Sequence, residues 1–200
     1  VYINLLAAEQ ERRAVFDHDA EPLLPVDPPE HLQLRMGALQ DIREKAFGAA
    51  AQKIEKAIEV LPPFKGSLNG QPISALRDLD DLLGSVLEIF AGGRYAWLPL
   101  DRIKTLEIEP PGHLLDLLWI PARLTDAKGV ESSVHLPVLY HGSHLAEDSR
   151  AGTGMVTEWY DQGEGILRGR GQRLLAWAGE AEEVQELALL ELRNLNTTGD

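Results

Sequence analysis

Two histidines three residues apart, His141 and His144, stand close to Glu147 and Asp148. Imidazoles and carboxylates so grouped are the raw material of a metal site, and a metal-dependent hydrolase is the enzyme they would make. The spacing suits one helical turn, but Gly142 between them favours a loop, and a third ligand must come from elsewhere. Gly142-Ser143-His144 is not a nucleophile elbow, because Leu145 stands where the second glycine belongs. Asp78, Asp80 and Asp81 have the look of a calcium loop, yet Leu79, Leu82 and Leu83 interrupt them. An EF-hand needs alternating acids, a glycine and a distal glutamate, so a helix with a solvated acidic face is the better reading. Gly163, Gly165, Gly169 and Gly171 flank Arg168 and Arg170 without a following Gly-Lys-Ser/Thr, so they read as turn glycines and not a P-loop. Glu158 and Asp161, three apart on a strand, face opposite sides and make no acid/base pair. No catalytic constellation assembles. The expectation is no enzyme, no catalytic residue, no cofactor and no metal.

The elements that would position these residues fall into two kinds. Val1–Asp17 reads as helix, and Pro22, Pro25, Pro28 and Pro29 then forbid one. Asp27 is the expected N-cap of a second helix running to about Lys45, with Pro28 at its first position. Gly48 is expected to break it, and Ala49–Leu61 to form a third helix stopped by Pro62-Pro63. Two short helices joined by a tight turn make a helical hairpin of tetratricopeptide type. Asn69-Gly70 marks a turn, and Ile73–Leu83 reads as one more short helix.

Beyond Gly84 the texture becomes strand. Val86–Phe90, Gly92-Gly93 and Arg94–Leu98 form a β-hairpin pattern. Thr105–Ile108, Trp119–Thr125, Ser132–Tyr140, Met155–Tyr160, Gln172–Ala178 and Glu186–Arg193 are further strands, with a turn of helix at Leu114–Leu118. Glu182–Leu192 equally fits a helical period. The fold class expected is α+β: an N-terminal helical region over residues 1–65, then a β-rich domain over 66–200. That domain reads as a small antiparallel barrel or sheet.

Composition sets the bounds. The chain has 200 residues, no cysteine, 44% hydrophobic residues and a formal net charge of −13. Disulfides and thiol chemistry are excluded, and wholesale disorder is disfavoured. A surface so acidic repels nucleic-acid phosphates and anionic membranes, and attracts a basic protein partner. Residues 1–70 hold 8 basic and 11 acidic groups, and residues 71–200 hold 11 and 21, so the acidity belongs mainly to the strand-rich half. No apolar run approaches the ~20 residues of a membrane span, and Val1–Leu6 is too short for a signal peptide. The chain opens on what reads as the inside of a helix, which implies a longer N-terminal region.

One series of blocks carries a resemblance. Gly93-Arg94-Tyr95-Ala96-Trp97-Leu98-Pro99-Leu100-Asp101-Arg102-Ile103 is preceded by Arg77-Asp78-Leu79-Asp80-Asp81-Leu82-Leu83-Gly84. It is followed by Asp116-Leu117-Leu118-Trp119-Ile120-Pro121-Ala122, Leu136-Pro137-Val138-Leu139-Tyr140-His141-Gly142-Ser143, Thr157-Glu158-Trp159 and Gly171-Gln172-Arg173-Leu174-Leu175. In that order the blocks resemble the ImpE/TagJ family of bacterial type VI secretion accessory proteins. Ala96 and His141 depart from it, where the family often has a bulkier residue and a proline. The resemblance implies a non-enzymatic, cytoplasmic adaptor that binds the N-terminal helix of the small contractile-sheath subunit, linked thereby to the AAA+ ATPase that disassembles sheaths. A generic helical-repeat scaffold is the other non-catalytic reading. The partner-binding residues expected are Tyr95, Trp97, Asp101, Trp159 and Tyr160, with Glu107 and Glu109 at the rim. Tyr95 and Trp97 share one strand face because they are two apart. The same residues serve equally as core, and an amphipathic helix would be read by apolar anchors.

Overall fold

The computed structural model describes residues 2–179 and 183–198. Helix α1 spans Tyr2–Asp17, α2 Glu30–Arg43 and α3 Phe47–Glu59. Helix α2 starts two residues later than Asp27-Pro28 led one to expect, because Pro29 supplies the first carbonyl, accepting from the Leu32 and Gln33 amides. It also stops before Gly48. The Lys45 amide donates to Ile42 and the Ala46 amide to Asp41, with Lys45 at φ 61°, which is a Schellman ending with lysine in the glycine position. Helices α2 and α3 then pack as a hairpin. Helix α1 does not stack on them as a tetratricopeptide repeat would: it packs on the sheet, and no second hairpin is present among the described residues.

The strands are β1 (Gly66–Leu68), β2 (Gln71–Ile73), β3 (Ala75–Asp78), β4 (Val86–Ala91), β5 (Arg94–Pro99), β6 (Ile103–Ile108) and β7 (Trp119–Asp126). They continue with β8 (Glu131–Pro137), β9 (Thr157–Asp161), β10 (Leu167–Gly171), β11 (Leu174–Ala178), β12 (Val184–Ala188) and β13 (Asn194–Thr197). Eight form one sheet in the order β2-β1-β13-β6-β7-β8-β4-β5, with β12-β11-β3 as a second sheet and β9-β10 as a ribbon. All pairings are antiparallel. The large sheet is open, so the barrel expectation fails. Its β5 edge is covered instead by Leu23, which exchanges backbone hydrogen bonds with Tyr95 and Trp97, and by Glu11, which accepts the Tyr95 amide at 2.9 Å.

One further expectation is corrected, and one left open is decided. Ile73–Leu83 is not helix but the end of β2, all of β3 and a turn, because β3 pairs with β11 (Leu175 opposite Asp78). Val184–Ala188 is strand, paired with β11, and not helix. The sequence reading also passed over β10, whose Gly169 and Gly171 are not turn residues. A Cβ on Gly169 would meet the Tyr140 ring at 2.5 Å, and one on Gly171 the Val156 carbonyl at 2.0 Å. Glycine in these positions permits close approach inside a strand.

Two cores result. One lies inside the sheets and includes Leu87, Ile89, Ala96, Leu98, Leu106, Ile120, Leu136 and Leu175. The other joins helices to sheet, with Leu5, Val15, Leu32, Leu39, Ile54, Val86, Phe90, Tyr95 and Trp97. The alternating residues of β4 and β5 thus face different cores, so both strand faces are buried. The chain changes from helix to strand between Glu59 and Gly66, and the second core runs across that junction.

Candidate functional site

Helix α1 buries Leu5, Ala8, Arg12 and Val15, so a guanidinium stands on the inward stripe. Burying a charge is costly unless it is paired. Arg12 donates to Glu88 through Nε (2.8 Å) and Nη2 (3.1 Å), and Nη2 also to the Leu139 carbonyl (2.9 Å). Glu88 sits mid-strand in β4, fully buried, and accepts from the Tyr95 hydroxyl at 2.5 Å. Trp97 Nε1 donates in turn to the Tyr95 hydroxyl. Arg173 contacts Glu88 and lies 3.6 Å from Asp78, while its Nε makes no hydrogen bond. Asp78 accepts from the Tyr140 hydroxyl (2.8 Å) and the Asp80 amide (2.8 Å). Asp80 binds Arg168 Nε through both oxygens, at 2.8 and 2.7 Å. Three arginines therefore face three carboxylates in the interior. Burial, abetted by Asp80, lifts Asp78 to about 6 against the pull of Arg173. Burial first, and Arg12 second, lower Arg173 to about 10, and burial pushes the Tyr95 hydroxyl well up.

A second polar chain has the connectivity of a catalytic triad. Asp101 lies 3.0 Å from His31 Nε2, and Ser85 Oγ lies 3.1 Å from His31 Nδ1. With Asp101 ionised, His31 donates from Nε2 and accepts the Ser85 hydroxyl at Nδ1. The Ser85 oxygen accepts from Arg35 Nε at 3.2 Å and is only 2% exposed. This arrangement ties α2 to the Asp80–Ser85 turn, where Arg35 also binds the carbonyls of Asp81 (2.7 Å) and Leu82 (2.9 Å). It presents no reachable nucleophile.

His141 and His144 are not brought together on a ligand. His141 stacks on Phe16 (4.7 Å between centroids) and bonds Asp17 through Nε2 at 2.9 Å. Burial first, and Arg12 second, lower its pKa, so it is neutral at pH 7. Among the described residues no three His, Asp or Glu side chains are placed to share a metal ion.

The aromatic candidates divide. Tyr95 and Trp97 do share a face, but it is the face that α1 covers, leaving them 1% and 0% exposed. They are core, and a partner cannot reach them. The apolar run of β5 gave no sign that its second face was covered. Asp101 is held by His31. Tyr160 lies under Arg170, whose guanidinium is 4.3 Å from its ring. Trp159 retains an exposed indole, at 37%, and lies across from Gly169 in the β9-β10 ribbon.

Sequence reasoning missed the groove that does open at the surface. A cavity of about 190 Å³ lies between α1 and the segments Leu118–Trp119 and Leu139–His144. Its apolar wall is Leu118, Trp119 and Leu139, and its rim carries Glu9, Arg13 and His144. Trp119 Nε1 donates to Glu9 at 3.3 Å, which fixes the indole against the helix. Exposed Leu114 and Leu117 continue the apolar surface on the preceding turn.

The family description "ImpE protein" matches residues 70–196. The chain is 35% identical over 196 residues, 98% of its length, to the type VI secretion system accessory component TagJ of Pseudomonas aeruginosa. It spans 66% of that protein's length. A crystal structure of a Vibrio parahaemolyticus protein superposes with a TM-score of 0.86 at 22% identity, covering 98% of this chain and 72% of that one, a likeness of fold alone. The matched stretch runs from β2 through β13 and so takes in every buried carboxylate and arginine of the sheet-side network. On that match the chain belongs to the ImpE family.

Proposed function

We propose that this protein is a non-catalytic accessory component of a bacterial type VI secretion system, an adaptor working in the cytoplasm. It binds the N-terminal helix of the small contractile-sheath subunit and so links the sheath to the AAA+ disassembly ATPase. The observation that carries this reading is the 35% identity to TagJ over nearly the whole chain. The site geometry supports it. The Ser85 hydroxyl of the triad-like chain is buried under His31 and Arg35, whereas the open cavity is walled by Trp119, Leu118 and Leu139 and rimmed by charge. An amphipathic helix gains affinity by seating an apolar anchor in such a cavity. Among the described residues no helix is long and apolar enough to cross a membrane.

A second docking surface, the Trp159 face, is favoured by the exposure of Trp159 and Leu167 on one side of the β9-β10 ribbon. Co-purification tests the function: the protein should retain the small sheath subunit and lose it when that subunit's first helix is deleted. Equal retention of the shortened subunit overturns the reading. Trp119→Ala and Trp159→Ala then assign the surface.

A further inference from the structure

A second depression, about 320 Å³, opens on the far side of His141, where the C-terminal ends of α1 and α2 meet the β9-β10 ribbon. In a chain of net charge −13 its lining is anomalous: Arg43, Arg168 and Arg170 against one carboxylate, Asp17. Arg168 is neutralised by Asp80, whose two oxygens both accept from its Nε, while Asp17 accepts a hydrogen bond from neutral His141 and is not neutralised by it, so the lining has an excess of one positive charge. Arg43 and Arg170 are not so committed. Their nearest acids, Asp19 and Glu158, stand at 3.7 and 3.8 Å, beyond hydrogen-bond range. Arg43 Nη2 holds the Val15 and Ala20 carbonyls, and Arg170 Nη1 donates to the Leu145 carbonyl at 3.2 Å. The Nε atoms of both are buried without an acceptor. Each guanidinium has five donors, so each has donors to spare. The Arg170 guanidinium carbon lies 4.3 Å from the centroid of the Tyr160 ring, a cation–π contact that restrains the side chain. Gln162, with its Oε1 3.4 Å from the Tyr160 hydroxyl, adds an amide to the lining.

We propose that this depression binds a phosphate group carried on a small organic molecule. The donors stand on different walls, α2, β10 and the turn after β9, which suits a tetrahedral oxyanion better than a planar carboxylate. Arginine forks bind phosphate oxygens in pairs. Phe16 and Tyr160 give the cavity aromatic walls for the organic part. The inference is independent of the sheath-binding reading, because it uses the opposite side of His141 from the Trp119 groove.

The test is a titration of 15N-labelled protein at constant ionic strength, reading the Nε–H resonances of Arg43 and Arg170. Inorganic phosphate, phenyl phosphate and acetate are the three probes. Saturable shifts are expected with both phosphates, tighter for phenyl phosphate, and much weaker ones with acetate. Arg170→Gln should weaken phenyl phosphate binding about tenfold or more, as loss of a charged hydrogen bond does, with the thermal midpoint showing that the variant is folded. Arg43 holds the Val15 carbonyl of α1 and the Ala20 carbonyl of the segment that follows, and is left intact. Gln162→Ala is the second variant and should also weaken binding. Absence of saturation with either phosphate, or undiminished affinity in both variants, overturns the proposal.

Discussion

Glu88 is an acidic residue, fully buried and met by donors from three separate stretches of chain: Arg12 of α1, Tyr95 of β5 and Arg173 ahead of β11. Removing one member of a buried ionic set strands the others, a loss of about 3–5 kcal/mol. Glu88→Gln should therefore lower the unfolding free energy, read from urea denaturation, by that much, and Arg12→Met should do the same from the helix side. Asp78 gives a prediction with a definite sign. Its folded pKa of about 6 lies above the ~4 of an unfolded aspartate. The native state holds that proton more tightly, so its contribution to stability is fully present below about pH 4 and lost as pH rises through 6. His141, with its lowered pKa, acts oppositely. The difference between wild type and Asp78→Asn isolates the Asp78 share: urea unfolding at pH 7, 6 and 5 should show the wild type gaining on the variant as pH falls. These groups were partly legible in the sequence. Arg12 occupies the inward stripe set by Leu5, Ala8 and Val15, and Glu88 interrupts an apolar strand, so each is a charge where a hydrophobe belongs. Their partners were not legible, because Arg12 and Glu88 are 76 residues apart.

The Asp80–Ser85 turn is the element on which the helical region and the sheets converge. The Asp80 carboxylate accepts the Leu82 amide (3.0 Å) and the Leu83 amide (3.2 Å), so the acids read as a solvated helix face in fact fold a tight turn. Gly84 closes it at φ 43°, and a Cβ there would stand 2.3 Å from Arg35 Nη2. Gly84→Ala should cost about 2 kcal/mol or more, measured as a lower denaturation midpoint with intact far-ultraviolet dichroism. The β4-β5 hairpin was legible because its turn chemistry is local; at Asn69-Gly70 only the turn was legible, not the short strands β1 and β2 that it joins. The Ile73–Leu83 stretch misled because its leucines fit a helical period, and only pairing with the distant β11 makes part of it strand. Strand β10 misled through its glycines, whose reason is the Tyr140 ring and the Val156 carbonyl lying against them.

At the scale of the whole molecule, the helices and sheets share one core and one ionic set, so α1 is fixed beside the strands that wall the Trp119 groove. The acidity concentrated in residues 71–200 should speed encounter with a basic partner. Its association rate should therefore fall steeply with added salt, while dissociation changes little, as surface plasmon resonance at rising ionic strength would show. Family membership was legible from ordered blocks of residues, whereas the groove was not, because α1 and Trp119 meet only in the folded chain. The most direct test is a calorimetric titration with a peptide of the small sheath subunit's N-terminal helix. The adaptor reading predicts saturable one-to-one binding that Trp119→Ala weakens by about thirtyfold, the loss of one anchor of about 2 kcal/mol. A peptide that binds the folded protein no better than its scrambled sequence would contradict it.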